Sequence, residues 1–291
     1  MAQSVILAIG FGVVTASVLA MAALGVTLQF GVTNYVNFAY GAYMALAGYF
    51  AWQLNQMGLS IWLAIAITTV FMALFAVAAN RLILQPFNRR NPPRVYMLIV
   101  TLGLWLIVSS GVVVIWGPDV HSYSVSRQSP MHLGPWLFTP IQLAVVGLAV
   151  VVMLAVHLLL TRTKLGKAMR AMSDDAALAR VSGIDADMIV TITWLLVGFL
   201  IGLAGCVLAL NISSFEPAFG DDFLFIVFSA VILGGIGQPY GTMLGALIIG
   251  IVTEVSAVFI TSSYKSDVAF ALLIVMLLIR PQGLVPARGR Q

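Results

Sequence analysis

Charge is what this sequence has least of. Asp, Glu, Lys and Arg make up only 8% of its 291 residues, against the roughly 25% usual for soluble globular domains. Apolar residues make up 61%, and no charged side chain occurs before Arg81. Eighty residues without a charge cannot coat a folded surface in water, so lipid is the solvent for which the chain is built. Cysteine is almost as scarce. Cys206 stands alone, which excludes an internal disulfide frame and a cysteine-built metal site and leaves packing as its role. The phosphate-cradling pattern G-x-x-x-x-G-K-[ST] is missing, and Gly234, Gly235 and Gly237 are followed by Gln238 and Pro239 with no lysine to meet a phosphate. H-E-x-x-H and G-x-S-x-G are missing too, and His121, His132 and His157 are scattered. These absences predict a chain that is not an enzyme and has no metal or cofactor of its own. A basic segment ahead of Val5–Leu24 is also lacking, so that stretch is read as a retained span rather than a signal peptide.

What is present is a series of apolar runs. A helix that crosses a bilayer needs about 20 apolar residues, and such runs fall at 5–28, 39–56, 60–80, 95–116, 140–160, 188–210, 222–238, 241–261 and 266–279. They predict an all-α, polytopic transmembrane helix bundle of eight to ten spans, without a sheet, with residues 1–291 as one membrane domain. Arg81, Arg89, Arg90 and Arg94 flank one connection, a charged stretch at 162–187 forms a second, and Arg280, Arg288 and Arg290 close the chain. The positive-inside rule sends all three to the cytoplasm, the C-terminus included. Two runs separate the first site from the second and four separate the second from the third, so the three agree in parity. The net charge of +4 comes mostly from these arginines. It reports orientation in the membrane rather than nucleic-acid binding.

Two apolar runs are interrupted. They are Phe30–Tyr43, overlapping a stretch 25–41 that contains Gly25, Gly31, Asn34, Asn37 and Gly41, and Phe219–Gly241, which contains Gly234, Gly235, Gly237 and Pro239. Paired interruptions of this kind predict broken or re-entrant helices near a translocation path. Nine full spans put the N-terminus outside, and a re-entrant piece puts it inside. Small residues recur on single helical faces, as in Asn37, Gly41, Ala45 and Gly48, and in Gly198, Gly202, Gly205 and Ala209. Close helix packing in lipid accounts for most of them.

The charged stretch Thr161–Asp185, TRTKLGKAMRAMSDDAALARVSGID, stands apart from its surroundings. Five of the fourteen basic residues and four of the ten acidic ones lie in it or within two residues of it. Lys164, Lys167 and Arg170 recur every three residues while Leu165, Ala168, Met169 and Met172 fall on the other side, which predicts a short amphipathic helix at the membrane surface. Ser173-Asp174-Asp175 then offers N-cap chemistry, Ala176–Val181 a second short helix, and Gly183 its stop. One reading is a solvated basic loop that fixes topology; the other is a docking element for a soluble motor protein. Orientation needs lysine and arginine but not a capped helix with Leu178, Ala179 and Val181 to bury, which favours docking.

The same stretch carries a resemblance. Its LGKAMRA at Leu165–Ala171, its Ala179 and its SGI at Ser182–Ile184 look like the cytoplasmic loop of the permease subunits of branched-chain amino acid ABC importers. GVTNYVNFAYGAY at Gly31–Tyr43 resembles the family's early motif, LGGIGQPYGTMLGALIIG at Leu233–Gly250 its late glycine motif, and RPQGL at Arg280–Leu284 its C-terminal end. The four matches occur in the family's order over most of the chain. The resemblance implies a multi-pass permease of the bacterial inner (plasma) membrane. It implies as partners two ATPase subunits, which use the ATP, a paralogous permease or second copy of this chain, and an extracytoplasmic substrate-binding protein. It also implies that the loop from Leu165 to Ile184 contains the coupling helix, with Lys164, Gly166, Arg170, Asp174, Ala179 and Gly183 as the coupling residues. One departure is Tyr40, where family members often carry histidine.

Polar groups within the apolar runs are the candidate substrate pathway. Asn34, Asn37, Tyr40 and Tyr43 offer neutral hydrogen-bonding groups among small residues, suited to weak contact with a zwitterion and equally to helix-to-helix hydrogen bonds. Glu254 sits within an apolar run and is either an interhelical tie or a substrate contact. Glu216, Asp221 and Asp222 fall on the outward side, as a meeting point for a binding protein or as plain solvated acids. The expected function is an ABC importer's permease subunit for branched-chain or other hydrophobic amino acids. A related permease for urea, short amides or aromatic acids, and an ion-coupled carrier, are the alternatives.

Overall fold

A chain with so few polar side chains must satisfy its own backbone N–H and C=O groups, and in lipid the helix is how a single segment does this alone. The computed structural model describes residues 2–90, 93–125, 129–261, 264–280 and 282–285, so Arg288 and Arg290 of the C-terminal basic site lie outside it. The helices are α1 (Ala2–Thr33), α2 (Tyr40–Gln56), α3 (Ile61–Ala79), α4 (Gln85–Asn88), α5 (Arg94–Trp116), α6 (Pro140–Arg162), α7 (Lys164–Asp174), α8 (Ala176–Val181), α9 (Ala186–Ile212), α10 (Phe219–Gly234), α11 (Pro239–Phe259) and α12 (Lys265–Ile279). A π-helical turn at Asn80–Leu84 joins α3 to α4. The architecture is an all-α membrane bundle.

Among the described residues, six helices are long and apolar enough to cross a membrane: 3–33, 61–88, 95–116, 140–162, 186–212 and 239–259. That is fewer than the eight to ten expected. The difference lies in α2, α10 and α12, which have 17, 16 and 15 residues. At 1.5 Å per residue they reach about 25 Å, short of a hydrocarbon core of about 30 Å. The runs read for these three, 39–56, 222–238 and 266–279, are themselves under about 20 residues, and counting them as spans made the total too high. A second correction concerns the absence of a sheet. Strands β1 (Met131–Leu133) and β2 (Trp136–Phe138) form an antiparallel hairpin in register Met131↔Phe138, around a two-residue turn in which Gly134 has φ +62°.

The interruptions fall close to where the sequence placed them. Helix α1 runs unbroken past Gly25 and Gly31 to Thr33, and the break is confined to residues 34–39, opened by Asn34 at φ +58°. Asn37 therefore lies ahead of α2 rather than on its face. Between α10 and α11 the chain turns at residues 235–238, with Pro239 as the first residue of α11, where its missing N–H costs nothing.

The chain divides into two compact units, one of Met1–Thr27, Ser126–His157 and Phe225–Gln291, the other of Leu28–Val125 and Leu158–Leu224. The second is built on α3 and α9, which make its most extensive helix pair, with α2 packed on both. A methyl group added at Gly198 would lie 2.6 Å from the Ala76 methyl, one at Gly202 would lie 2.9 Å from Thr69 Cα, and one at Gly205 would strike the Met44 backbone. Trp194, Ile201, Met72, Met44, Tyr40 and Tyr43 fill the space beside these contacts and are fully buried. Cys206 belongs to the same packing, its thiol directed at the Ala47 carbonyl at 3.5 Å.

In the first unit, Gly250 of α11 lies against Ala16 of α1, and Gly12 of α1 against Ile251. The C-terminal segment returns to the α10–α11 turn, with Leu284 N–H donating to the Leu233 carbonyl at 2.8 Å and Val285 N–H to that of Gly234 at 3.2 Å. Two motifs some thirty residues apart in sequence, Leu233–Gly250 and Arg280–Leu284, are thus brought to one packed corner.

Valine at Gly198 should force α3 and α9 apart at a cost of about 1–3 kcal/mol, read as a lower melting temperature of the purified protein. Valine at Gly103 of α5, where nothing lies within 4 Å of an added Cβ, should stay within about 0.5 kcal/mol of the parent.

Candidate functional site

The charged stretch folds as two capped helices. Thr163 caps α7 by accepting the Gly166 N–H at 3.0 Å. Gly166 itself is pressed against the Leu159 carbonyl and the Leu160 backbone, leaving no room for a side chain where α6 turns into α7. Met169 and Met172 are buried, while Lys164, Lys167 and Arg170 are exposed on the other face. The next cap is Asp175: one carboxylate oxygen accepts the N–H groups of Ala177 and Leu178 at 2.8 and 2.9 Å. Asp174, the acid singled out from the sequence, is the last residue of α7 and is exposed.

Helix α8 ends where Gly183 was expected to stop it. At φ +86° Gly183 takes the left-handed conformation, the Ile184 N–H reaches the Ala179 carbonyl at 3.1 Å and the Gly183 N–H that of Arg180 at 3.0 Å. This closes the helix with a Schellman motif. Of the three apolar residues expected to be buried, only Ala179 is. Leu178 is 64% exposed and Val181 87%.

Asp185 caps α9 through the Met188 N–H at 3.0 Å. Two residues on, Asp187 holds the island to the two ends of α4, taking Arg89 Nη2 at 2.7 Å on one oxygen and Gln85 Nε2 at 2.9 Å on the other. Arg81 reaches Thr191 at 3.4 Å beside them. The ion pair is 64% and 62% exposed, so it contributes under about 1 kcal/mol and serves to orient rather than to stabilise. Sequence reasoning counted Asp187 among the island's acids without giving it a partner. No local signal points to one some hundred residues away.

The break at 34–39 is held by side chains that replace the missing helical bonds. Gln29, a residue the sequence reading passed over, donates to the Tyr35 carbonyl at 3.1 Å and to Thr33 Oγ1 at 3.2 Å. Asn37 Oδ1 accepts the Ala39 N–H at 3.0 Å. Burial pushes the Tyr35 hydroxyl pKa well up, against the smaller opposing effect of its Thr33 hydrogen bond, so it stays protonated. Of the four neutral pathway candidates, Asn37, Tyr40 and Tyr43 are buried and Asn34 is exposed. The Asn37 amide nitrogen and the Tyr43 hydroxyl have no hydrogen-bond partner among the described residues. Tyr43 meets Phe75 edge-on, ring centres 5.3 Å apart. Asp221 does not stand free in solvent: it is half-buried, with its carboxylate against Gly41.

Glu254 belongs to the other unit. Its carboxylate accepts Thr15 Oγ1 of α1 at 3.0 Å and Lys265 Nζ of α12 at 2.7 Å, one on each oxygen. Lys265 is its counter-ion, and the three groups tie α1, α11 and α12 together.

This chain matches the family model of the branched-chain amino acid transport system permease component over residues 8–277. It is a member of that family. The permease is 28% identical to the high-affinity branched-chain amino acid transport system permease protein LivH of Escherichia coli K12, an alignment covering 94% of this chain and 93% of LivH. It is 26% identical to BraD of Pseudomonas aeruginosa, with the same coverage. Among solved structures, an inward-facing metal-chelate type ABC transporter aligns with 92% of the permease and 85% of its own chain, at 15% identity and a TM-score of 0.48. The permease is a multi-pass membrane protein and not an enzyme.

Lys265→Met in the permease should leave Glu254 part-buried without its counter-ion and lower stability by about 1–3 kcal/mol, less than for a fully buried pair. The double variant Lys265→Met/Glu254→Gln should recover most of that loss in thermal unfolding. Asp175→Ala should speed amide exchange over residues 176–181 about fivefold, the equivalent of a lost cap of about 1 kcal/mol, whereas Asp174→Ala should leave it unchanged.

Proposed function

We propose that this permease is the membrane-spanning subunit of an ATP-driven importer for branched-chain or other hydrophobic amino acids in the bacterial inner membrane. The observation that carries the coupling part of this reading is α8. It is capped at both ends and anchored through Ala179, yet turns Leu178 and Val181 to solvent. An exposed apolar pair on a fixed helix suits a groove on another protein, and the family supports an ATPase subunit as its owner. In this reading Gly166 and Ala179 seat the loop, Gly183 closes it, Lys164 and Arg170 offer charge to the ATPase, and Asp174 lies at the joint between α7 and α8. Asp187 then passes the motion on to the π-helical end of α3. ATP is bound and hydrolysed by the partner subunits alone.

The remaining partners follow from the same reading: a paralogous permease or second copy of this chain to complete the pore, and an extracytoplasmic binding protein that carries most of the selectivity. The three basic sites support a cytoplasmic C-terminus. If α2, α10 and α12 cross where protein rather than lipid surrounds them, the permease has nine crossings, and parity puts its N-terminus outside. Asn34, Asn37, Tyr40 and Tyr43 are the proposed pathway contacts, neutral and therefore weak enough to release cargo. Glu254 is assigned to holding helices together. An ion-coupled carrier would need an intramembrane charge free to bind and release its ion, and both oxygens of Glu254 are engaged.

The test is Gly183→Val, which strains the left-handed turn that closes α8, alongside Arg170→Ala. In the reconstituted complex each should lower substrate-stimulated ATPase activity and leucine uptake by about tenfold, the scale of a lost charge-assisted contact. Coupling equal to the parent in both variants would overturn the assignment of this loop.

A further inference from the structure

Where α1 has ended and α5 begins, the second unit has a cavity of about 280 Å³ lined by Phe30, Asn34, Tyr35, Val36, Val95 and Leu98. Its wall is almost wholly apolar, and it is larger than the ~150 Å³ engineered cavity that stays dry and binds benzene. The cavity opens on the outside of the unit: Val36, Val95 and Leu98 are 36%, 65% and 39% exposed. Helix α5 is peripheral along its length, with 22% of its most apolar stretch buried against 72% for α9. The exposed face continues from Val95 and Leu98 through Leu102 to Leu106 at helical spacing. From Val95 to Leu106 the helix rises about 16 Å, the depth of one leaflet of a hydrocarbon core about 30 Å thick.

The chain leading into α5 carries charge of one sign. Arg81, Arg89, Arg90 and Arg94 are the charged residues that precede Asp119, the first acid in the sequence. Arg89 is taken up by Asp187. Arg90 is exposed and forms no ion pair among the described residues. Arg94 is the first residue of α5, next to Val95, and chain reach keeps it within about 14 Å of Arg90. We propose that the cavity holds an acyl chain of an anionic phospholipid, with the lipid phosphate toward Arg90 and Arg94. An empty apolar recess forfeits dispersion contacts along its whole lining, and in a bilayer the apolar group at hand is a lipid chain. Arginine matches a phosphodiester with paired N–H donors, and basic sites at the cytoplasmic ends of spans select anionic head groups. The lining has no charged side chain to hold the carboxylate or ammonium of an amino acid, so the occupant differs from the proposed cargo. A chain in this recess fills the space left where α1 stops and braces the break from the lipid side.

Which leaflet supplies the lipid rests on the orientation proposed above. The binding test does not, so a failure of binding and a failure of coupling are distinguishable results. Native mass spectrometry of the purified, detergent-solubilised transporter, titrated with phosphatidylglycerol and with phosphatidylcholine of the same chains, should show saturable phosphatidylglycerol held about tenfold more tightly than phosphatidylcholine. Leu98→Trp, which fills the cavity with an indole, should weaken both lipids about tenfold. Ile107→Trp, on an exposed position of the same helix outside the cavity, should weaken neither. Arg90→Gln/Arg94→Gln should abolish the preference between the two lipids, and glycerol phosphate should not compete with either. Equal binding of the two lipids to the parent, or binding that Leu98→Trp does not change, would overturn the site. Displacement of the lipid by L-leucine would give the cavity to the cargo, and no saturable lipid on the assembled transporter would give it to another subunit; either result would overturn the proposal.

Discussion

Helices surrounded by lipid gain nothing hydrophobic by meeting, since a neighbouring leucine and a lipid tail are equivalent surroundings; what holds them is close packing. In this permease that packing is concentrated where α9 lays Gly198, Gly202 and Gly205 against α3 and α2. The backbones there approach so closely that a single methyl group does not fit at any of the three. Trp194, Met72 and Tyr43 are fully buried in the same unit. The proposed mechanism depends on this: a push delivered at the start of α9 reaches α3 because the two helices have no slack between them.

At the break after α1 and through the charged stretch, side chains supply the hydrogen bonds that water would supply in a soluble protein. Gln29 and Asn37 bridge the break after α1. Thr163, Asp175 and Asp185 cap three successive helices of the charged stretch. The result is a loop in which nearly every turn is fixed, unlike a linker. A slack loop would absorb force from a partner, whereas in the proposed mechanism this one passes it on.

The two ion pairs among the described residues show how burial decides what the same chemistry does. Arg89 and Asp187 meet at the surface, where solvent screens them, so their value lies in direction: they align the start of α9 with the end of α4. Glu254 and Lys265 are 17% and 33% exposed, and removal of one leaves the other as a poorly solvated charge. Neighbours matter as much as depth. Glu254 gains Thr15 and so has both oxygens satisfied, which turns an ionisable residue within an apolar helix into a structural tie.

Much of this was legible in the sequence, for a physical reason. Scarcity of charge, apolar runs, caps and stops are local properties, set by residues within a turn or two of each other. They were enough to announce a helical membrane protein, to mark the two interruptions, and to outline α7, α8 and the stop at Gly183. The four motif resemblances pointed to the family that the full-length comparison then showed. The span count was less legible and came out high, because an apolar run shorter than about 20 residues does not say whether its helix crosses the bilayer. Pairings across the chain could be decided only by the tertiary structure. Asp187 with Arg89, Glu254 with Lys265 and Thr15, and the buried, unpartnered amide nitrogen of Asn80 depend on which helix faces are brought together, and no spacing along the sequence encodes that.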